Sequence, residues 1–148
     1  MQTIFPILRY NDARAAITWL SSAFGFEEQF CVPEHGLYVR HARLKLGQNL
    51  IMLGSVRPDD GIVSPQTVGS STQMLAVYIE DPDAHFEQAK AAGAKILAVP
   101  YDTDFGSREY HVLDLEGHPW TFGTFRPATE EDEQLESTGL SAPSNEKG

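Results

Sequence analysis

The chain carries one pattern twice. His41-Ala42-Arg43-Leu44-Lys45-Leu46-Gly47-Gln48, running into Leu50-Ile51-Met52, returns as His111-Val112-Leu113-Asp114-Leu115-Glu116-Gly117-His118, running into Trp120-Thr121-Phe122. The offset is 70 residues, from Gly47 to Gly117. Upstream, Tyr10-Asn11-Asp12 ahead of a helical pattern returns as Ile79-Glu80-Asp81, at an offset of 69 from Asp12 to Asp81. Two blocks in the same order at nearly one offset mark a duplicated supersecondary unit. Such a unit demands a paired architecture, and the cleft between the copies is the natural place for a ligand.

Each copy reads as strand, helix, strand, strand, strand. Residues 3–10 form a strand with Pro6 inside it, which suits an edge or a bulge. Asn11 or Asp12 caps the following helix, because a short side-chain oxygen accepts from a free first-turn N–H. Ala16, Trp19, Leu20, Ala23 and Phe24 recur at three and four residues, an amphipathic spacing that Gly25 ends. Strands follow over 26–32, 37–45 and 49–54. In the second copy, 73–80 is a strand and Asp81-Pro82 opens a helix closed by Gly93. Strands then run over 95–99, 108–113 and 118–125, with 100–106 as a loop. Between the copies, residues 55–72 hold a dense set of Pro, Gly, Ser and Asp, a linker that could also close over a site. The fold class is therefore α+β: one domain over 1–126, with modules at about 3–54 and 73–125.

Charge divides unevenly. The chain of 148 residues has a net charge of −10, and residues 127–148 hold six acidic side chains against Lys147 alone. That stretch has little to bury, so a solvated acidic tail is expected. No basic stripe remains for a nucleic-acid partner, and no apolar run has membrane-spanning length. The single cysteine, Cys31, permits no internal disulfide. The start lacks the features of a secretion signal, so a cytoplasmic location is expected. Phosphate-cradling glycine loops and nucleophile elbows are missing from the sequence.

The block Asp114-Leu115-Glu116-Gly117-His118-Pro119-Trp120-Thr121-Phe122 resembles the Asp-Pro-Asp-Gly-Asn-x-x-Glu-Leu hairpin of the vicinal oxygen chelate superfamily. That group holds glyoxalase I, extradiol dioxygenases, fosfomycin-modifying enzymes and bleomycin-resistance proteins. Val77-Tyr78-Ile79-Glu80-Asp81-Pro82-Asp83-Ala84 is similar to its strand-to-helix junction, and Leu8-Arg9-Tyr10-Asn11-Asp12-Ala13 to the matching junction of the first half. The resemblance spans about residues 3–125. It implies two βαβββ modules whose sheets curve around a cleft, paired as a homodimer.

In metal-using members, the first and last strands of each half supply ligands, His or Gln on the first and Glu on the last. Counting back seven residues from the helix-opening aspartates gives Phe5 and Met74. Counting four past the hairpin glycines gives Ile51 and Thr121. These side chains do not make a divalent-metal site; Phe5, Ile51 and Met74 instead imply an apolar pocket for an organic or aromatic ligand. No metal or other cofactor is expected, and no catalytic residue is assigned.

Further ligand contacts are expected from Arg108, whose guanidinium fork suits a carboxylate or phosphate, although surface pairing is an equal reading. Tyr78, Tyr101 and Tyr110 could stack on a planar ligand or serve in a core or interface. His41 and His111, taken as repeat-equivalent strand positions, could act as acid or base if they face the cavity. Alternation places Trp120 and Phe122 in the core, opposite Thr121. The leading expectation is a metal-free small-molecule binding protein of the bleomycin-resistance kind, with an antibiotic-resistance role. The alternative is a metal-dependent lyase, isomerase or dioxygenase whose displaced site draws on Gln73, His41 and His111.

Overall fold

The computed structural model describes residues 1–128 and 137–139. The acidic tail expected over 127–148 lies outside the described residues apart from 127, 128 and 137–139. The first module comprises β1 (Ile7–Tyr10), α1 (Ala13–Phe24), β2 (Glu27–Val32), β3 (His41–Leu46) and β4 (Asn49–Ser55). A 3-10 turn at Pro58–Asp60 and the short α2 (Pro65–Val68) follow. The second module comprises β5 (Leu75–Tyr78), α3 (Pro82–Ala91), β6 (Lys95–Asp102), β7 (Arg108–Leu113) and β8 (Pro119–Gly123). The fold is thus α+β with two βαβββ modules.

Each module forms one four-stranded sheet, in the orders β1-β4-β3-β2 and β5-β8-β7-β6. The first strand lies parallel to the last, and the remaining pairs are antiparallel. Helix α1 packs on the first sheet, α3 on the second, and the two helices on each other. Tyr10, Leu44, Ile51 and Leu53 meet Tyr110, Val112, Trp120 and Phe122 in one core, with Leu20 and Phe24 of α1 between them. Strand alternation then turns the opposite face of each sheet away from the helices. No helix among the described residues is long and apolar enough to cross a membrane.

Local chemistry explains the element ends. Asp12 and Asp81 each accept from a first-turn N–H, of Ala15 and Ala84 respectively, at 3.0 Å. Gly25 closes α1 in the left-handed conformation (φ 84°), where a side chain would be strained. Two strands differ from expectation. β1 starts after Pro6, which has no N–H to give a ladder. β6 continues through Pro100 and Tyr101, because a free edge and two register shifts accommodate the proline.

The modules are tied through the second hairpin. α1 has no acidic residue in its first turn. Glu116 supplies one from the other module, accepting from the N–H groups of Asn11 (2.6 Å) and Asp12 (2.9 Å) at the positive end of the helix. Ser64, fully buried, donates to the same carboxylate. Asp114 accepts four bonds: from the Tyr10 hydroxyl, the Trp120 indole, and the backbone N–H groups of Glu116 and His118. Burial, followed by the adjacent Asp114, holds the Tyr10 phenol far above its ordinary range, so it stays a donor.

His85 of α3 forms the second tie. Its Nε2–H donates to the Phe24 carbonyl (2.9 Å), and Nδ1 accepts from the Tyr110 hydroxyl. Burial lowers its pKa from the ordinary 6.5, and the Phe24 bond only partly offsets this. The folded chain therefore resists a proton that the unfolded chain takes up. The stabilisation from neutral His85 is complete above about pH 6.5 and is lost as pH falls through the lowered folded value. The urea midpoint should drop across that window, with a slope of at most ~1.4 kcal/mol per pH unit for one proton. His85→Gln should flatten this segment; equal slopes in both proteins would refute the assignment.

Candidate functional site

Where β1 and β5 begin, the two modules leave an open cleft of about 700 Å³. Phe5 and Ile7 form one wall, Met74 and Leu75 another, and Ile62, Val63 and Val68 a third. His118 lies at the cleft too, its Nε2–H donating to the Arg9 carbonyl. The third wall is fixed in place. Ser64 caps α2 and is bonded to Glu116, while the Asn11 amide donates to Gln66 and Thr67 at 3.1 Å each. The closing movement expected of the 55–72 segment does not fit a stretch pinned in this way.

Of the expected pocket residues, the structure brings Phe5 and Met74 together. Ile51 is a correction: it faces inward, 7% exposed, in the core. The cause is the hairpins. In the first module Lys45 pairs Leu50, whereas in the second Leu113 pairs Pro119, one residue longer. Counting from the glycines therefore slips by one, and the true counterpart of Thr121 is Met52, opposite Arg43 as Thr121 is opposite His111. By the same register His111 corresponds to Arg43 and His41 to Glu109, so the two histidines are not repeat equivalents.

Arg108 is also corrected. Its guanidinium bonds both Asp83 oxygens (2.8 and 2.9 Å) and Asp102 (3.1 Å), tying α3 to the β6–β7 hairpin away from the cleft. The Arg108 bond in turn holds the Asp83 carboxyl below its usual value. His41 sits on the outer face of the first sheet beside Phe30. Tyr78 sits on the outer face of the second, under the Arg126 guanidinium.

Thr121 and His111 meet outside the cleft, on that second outer face. Thr121 Oγ and His111 Nδ1 are 2.7 Å apart, His111 Nε2 and the Tyr101 hydroxyl 2.7 Å, and the Tyr101 hydroxyl and Glu109 Oε1 2.9 Å. Glu109, first in causing the shift, and partial burial push the Tyr101 phenol up, which keeps its proton on it. Sequence reasoning gave Glu109 no ligand role, although it shares a face with His111 by simple alternation. Tyr101, a possible stacking residue by sequence, lies on β6 and not in the expected loop.

The model of the Glyoxalase/Bleomycin resistance protein/Dioxygenase superfamily matches residues 3–122. The chain belongs to this superfamily. Among curated relatives, uncharacterized proteins Mb0911c of Mycobacterium bovis and Rv0887c of Mycobacterium tuberculosis are each 30% identical over 121 residues. These matches cover 80% of this chain and 80% and 71% of the respective relatives. Among solved structures, TioX from Micromonospora sp. ML1 is 32% identical with a TM-score of 0.68, over 86% of this chain and 99% of that one. A superfamily member from Sphaerobacter thermophilus shares the fold at 13% identity and a TM-score of 0.62, over 84% of this chain and 98% of its own.

The metal positions of the superfamily, with the register corrected, hold Phe5, Met52, Met74 and Thr121. Two thioethers, a phenyl ring and one hydroxyl do not fit a hard or borderline divalent ion. His41 and His111 lie on different sheets, and Gln73 lines the cleft, so this set is not assembled within the chain either. Among the described residues, no group of three or more His, Cys, Asp or Glu side chains converges.

Proposed function

We propose that the chain binds a small, largely apolar organic compound in the cleft between β1 and β5 and holds it without transforming it. One observation carries the reading: a cleft of about 700 Å³ whose walls are mainly phenyl, aliphatic and thioether groups. Size and lining both fit a drug-sized ligand. Sequestration of an antibiotic is the resistance-type form of this reading. A homodimer belongs to it as well. Ile7 and Phe30 on one outer face and Tyr101 on the other are exposed, as are Leu97 and Val99 of the edge strand β6, apolar surface that a second copy would cover.

Titration with the fluorescent dye 8-anilinonaphthalene-1-sulfonate tests the cleft. One saturable site per chain is expected, weakened about 10- to 100-fold by Phe5→Asp, as loss of one buried aromatic contact implies. Binding that does not saturate, or that ignores Phe5→Asp and Met74→Asp, would remove the cleft as the site. Sedimentation should give a dimer.

A further inference from the structure

We propose that the cleft selects uncharged compounds that donate one N–H or O–H hydrogen bond, and that His118 Nδ1 receives it. This selectivity rests on the cleft being the ligand site, and it names the polar group a ligand must carry. Charge comes first. In a chain with 21 acidic and 11 basic residues, no Asp, Glu, Lys or Arg side chain lines the cleft among the described residues. Glu116 lies behind the wall at Ser64, nearly buried, and its carboxylate is already taken by Ser64, Asn11 and Asp12. A charged ligand would shed water here with no opposite charge to meet it, whereas a neutral one loses far less.

His118 is held in place by its own turn and by Tyr10. Its backbone N–H donates to the Asp114 carboxylate (3.0 Å), and its carbonyl accepts from the Asp114 N–H (2.9 Å). The Tyr10 ring packs edge-on against the imidazole, 4.8 Å between centres. The Arg9 carbonyl sets the tautomer. A carbonyl can only accept, so Nε2 carries the proton and, in the neutral ring, Nδ1 is a bare lone pair. Nδ1 has no hydrogen-bond partner among the described residues. No side-chain nitrogen or oxygen that lacks a partner is buried among them, so Nδ1 is open to solvent. The open space that His118 lines is the cleft.

The result is a fixed acceptor in a mostly apolar wall. A ligand that brings a donor meets it without reordering the ring, while one that brings none strips its water and gives nothing back. Ser70, Thr72 and Gln73 also line the cleft, but hydroxyl and amide groups both donate and accept, so they turn to suit either ligand. The Ser64 hydroxyl is spent on Glu116. Discrimination between donor and acceptor ligands therefore falls to His118.

The test uses three probes with one aromatic body. N-phenyl-1-naphthylamine is uncharged and has a single N–H, 1-phenoxynaphthalene has an ether oxygen in its place, and 8-anilinonaphthalene-1-sulfonate adds an anion. Wild-type protein should bind the amine about 3- to 10-fold more tightly than the ether, the size of one net hydrogen bond. His118→Phe, which keeps a flat ring but no acceptor, should remove that preference. The preference is a ratio within one protein, so a smaller folded fraction weakens both probes alike and leaves it intact. Affinity for the sulfonate should hold or rise from about 0.05 to 0.5 M salt, since no cation lines the cleft to be screened. No preference in wild type, a preference that survives His118→Phe, or sulfonate binding that falls with salt would overturn the proposal. If Phe5→Asp still weakens both uncharged probes in that case, the cleft itself stands. Probes indifferent to Phe5→Asp would remove the cleft, and this selectivity with it.

Discussion

Replacing Asp114 with alanine is expected to cost about 3–4 kcal/mol of folding stability, because it strands several buried donors at once. The carboxylate is 5% exposed and accepts from Tyr10, Trp120, Glu116 and His118. The Glu116 N–H is buried, whereas the His118 N–H is only partly so and can reach water. The Tyr10 hydroxyl and Trp120 indole cannot, since both rings are buried; each unsatisfied group costs about 1–3 kcal/mol. Asp114→Asn should be milder but still harmful. Tyr10 can rotate its hydroxyl to accept from the new amide, whereas an indole N–H can only donate. The measurement is a urea midpoint with an unchanged slope. A loss below about 1 kcal/mol in the alanine variant would mean that the network is solvated or rearranged.

The second large effect is expected at Phe24. The ring comes from the first module but packs on the second, 4.7 Å from Phe122, 5.3 Å from Trp120 and 5.9 Å from the His85 imidazole, centre to centre. It is 1% exposed, so Phe24→Ala opens a cavity that rigid aromatic neighbours cannot fill. A cost of about 3–5 kcal/mol follows, on the order of 10 °C in melting temperature for a chain of this size. Against a total stability of about 5–15 kcal/mol, either substitution takes a large share. Phe24→Leu should recover part of the loss; a variant as stable as wild type would show that the modules do not depend on this contact.

The architecture was legible in the sequence because its signals are local. Asp12 and Asp81 cap helices from adjacent positions, Gly25 ends one, and alternation around Thr121 separates Trp120 and Phe122 from it. The site was harder for a matching reason. Counting from Gly47 points to Ile51, and a single extra residue in the second hairpin reverses the face of a strand residue. The roles of Asp114 and Glu116 had no local signal at all, since their partners Tyr10, Asn11 and Asp12 lie more than 100 residues away. Arg108 illustrates the converse. Its reach toward a ligand was chemically reasonable, but Asp83 and Asp102 stand closer and take every bond its fork can make in that direction.

The two modules look like copies able to stand alone, yet the Glu116 bonds to the start of α1 leave the first repeat incomplete by itself. During synthesis Asp12 can cap the first helix at once, but the N–H groups of Asn11 and Asp12 wait for a carboxylate made about a hundred residues later. The first repeat is thus completed by nearly the last piece of the second.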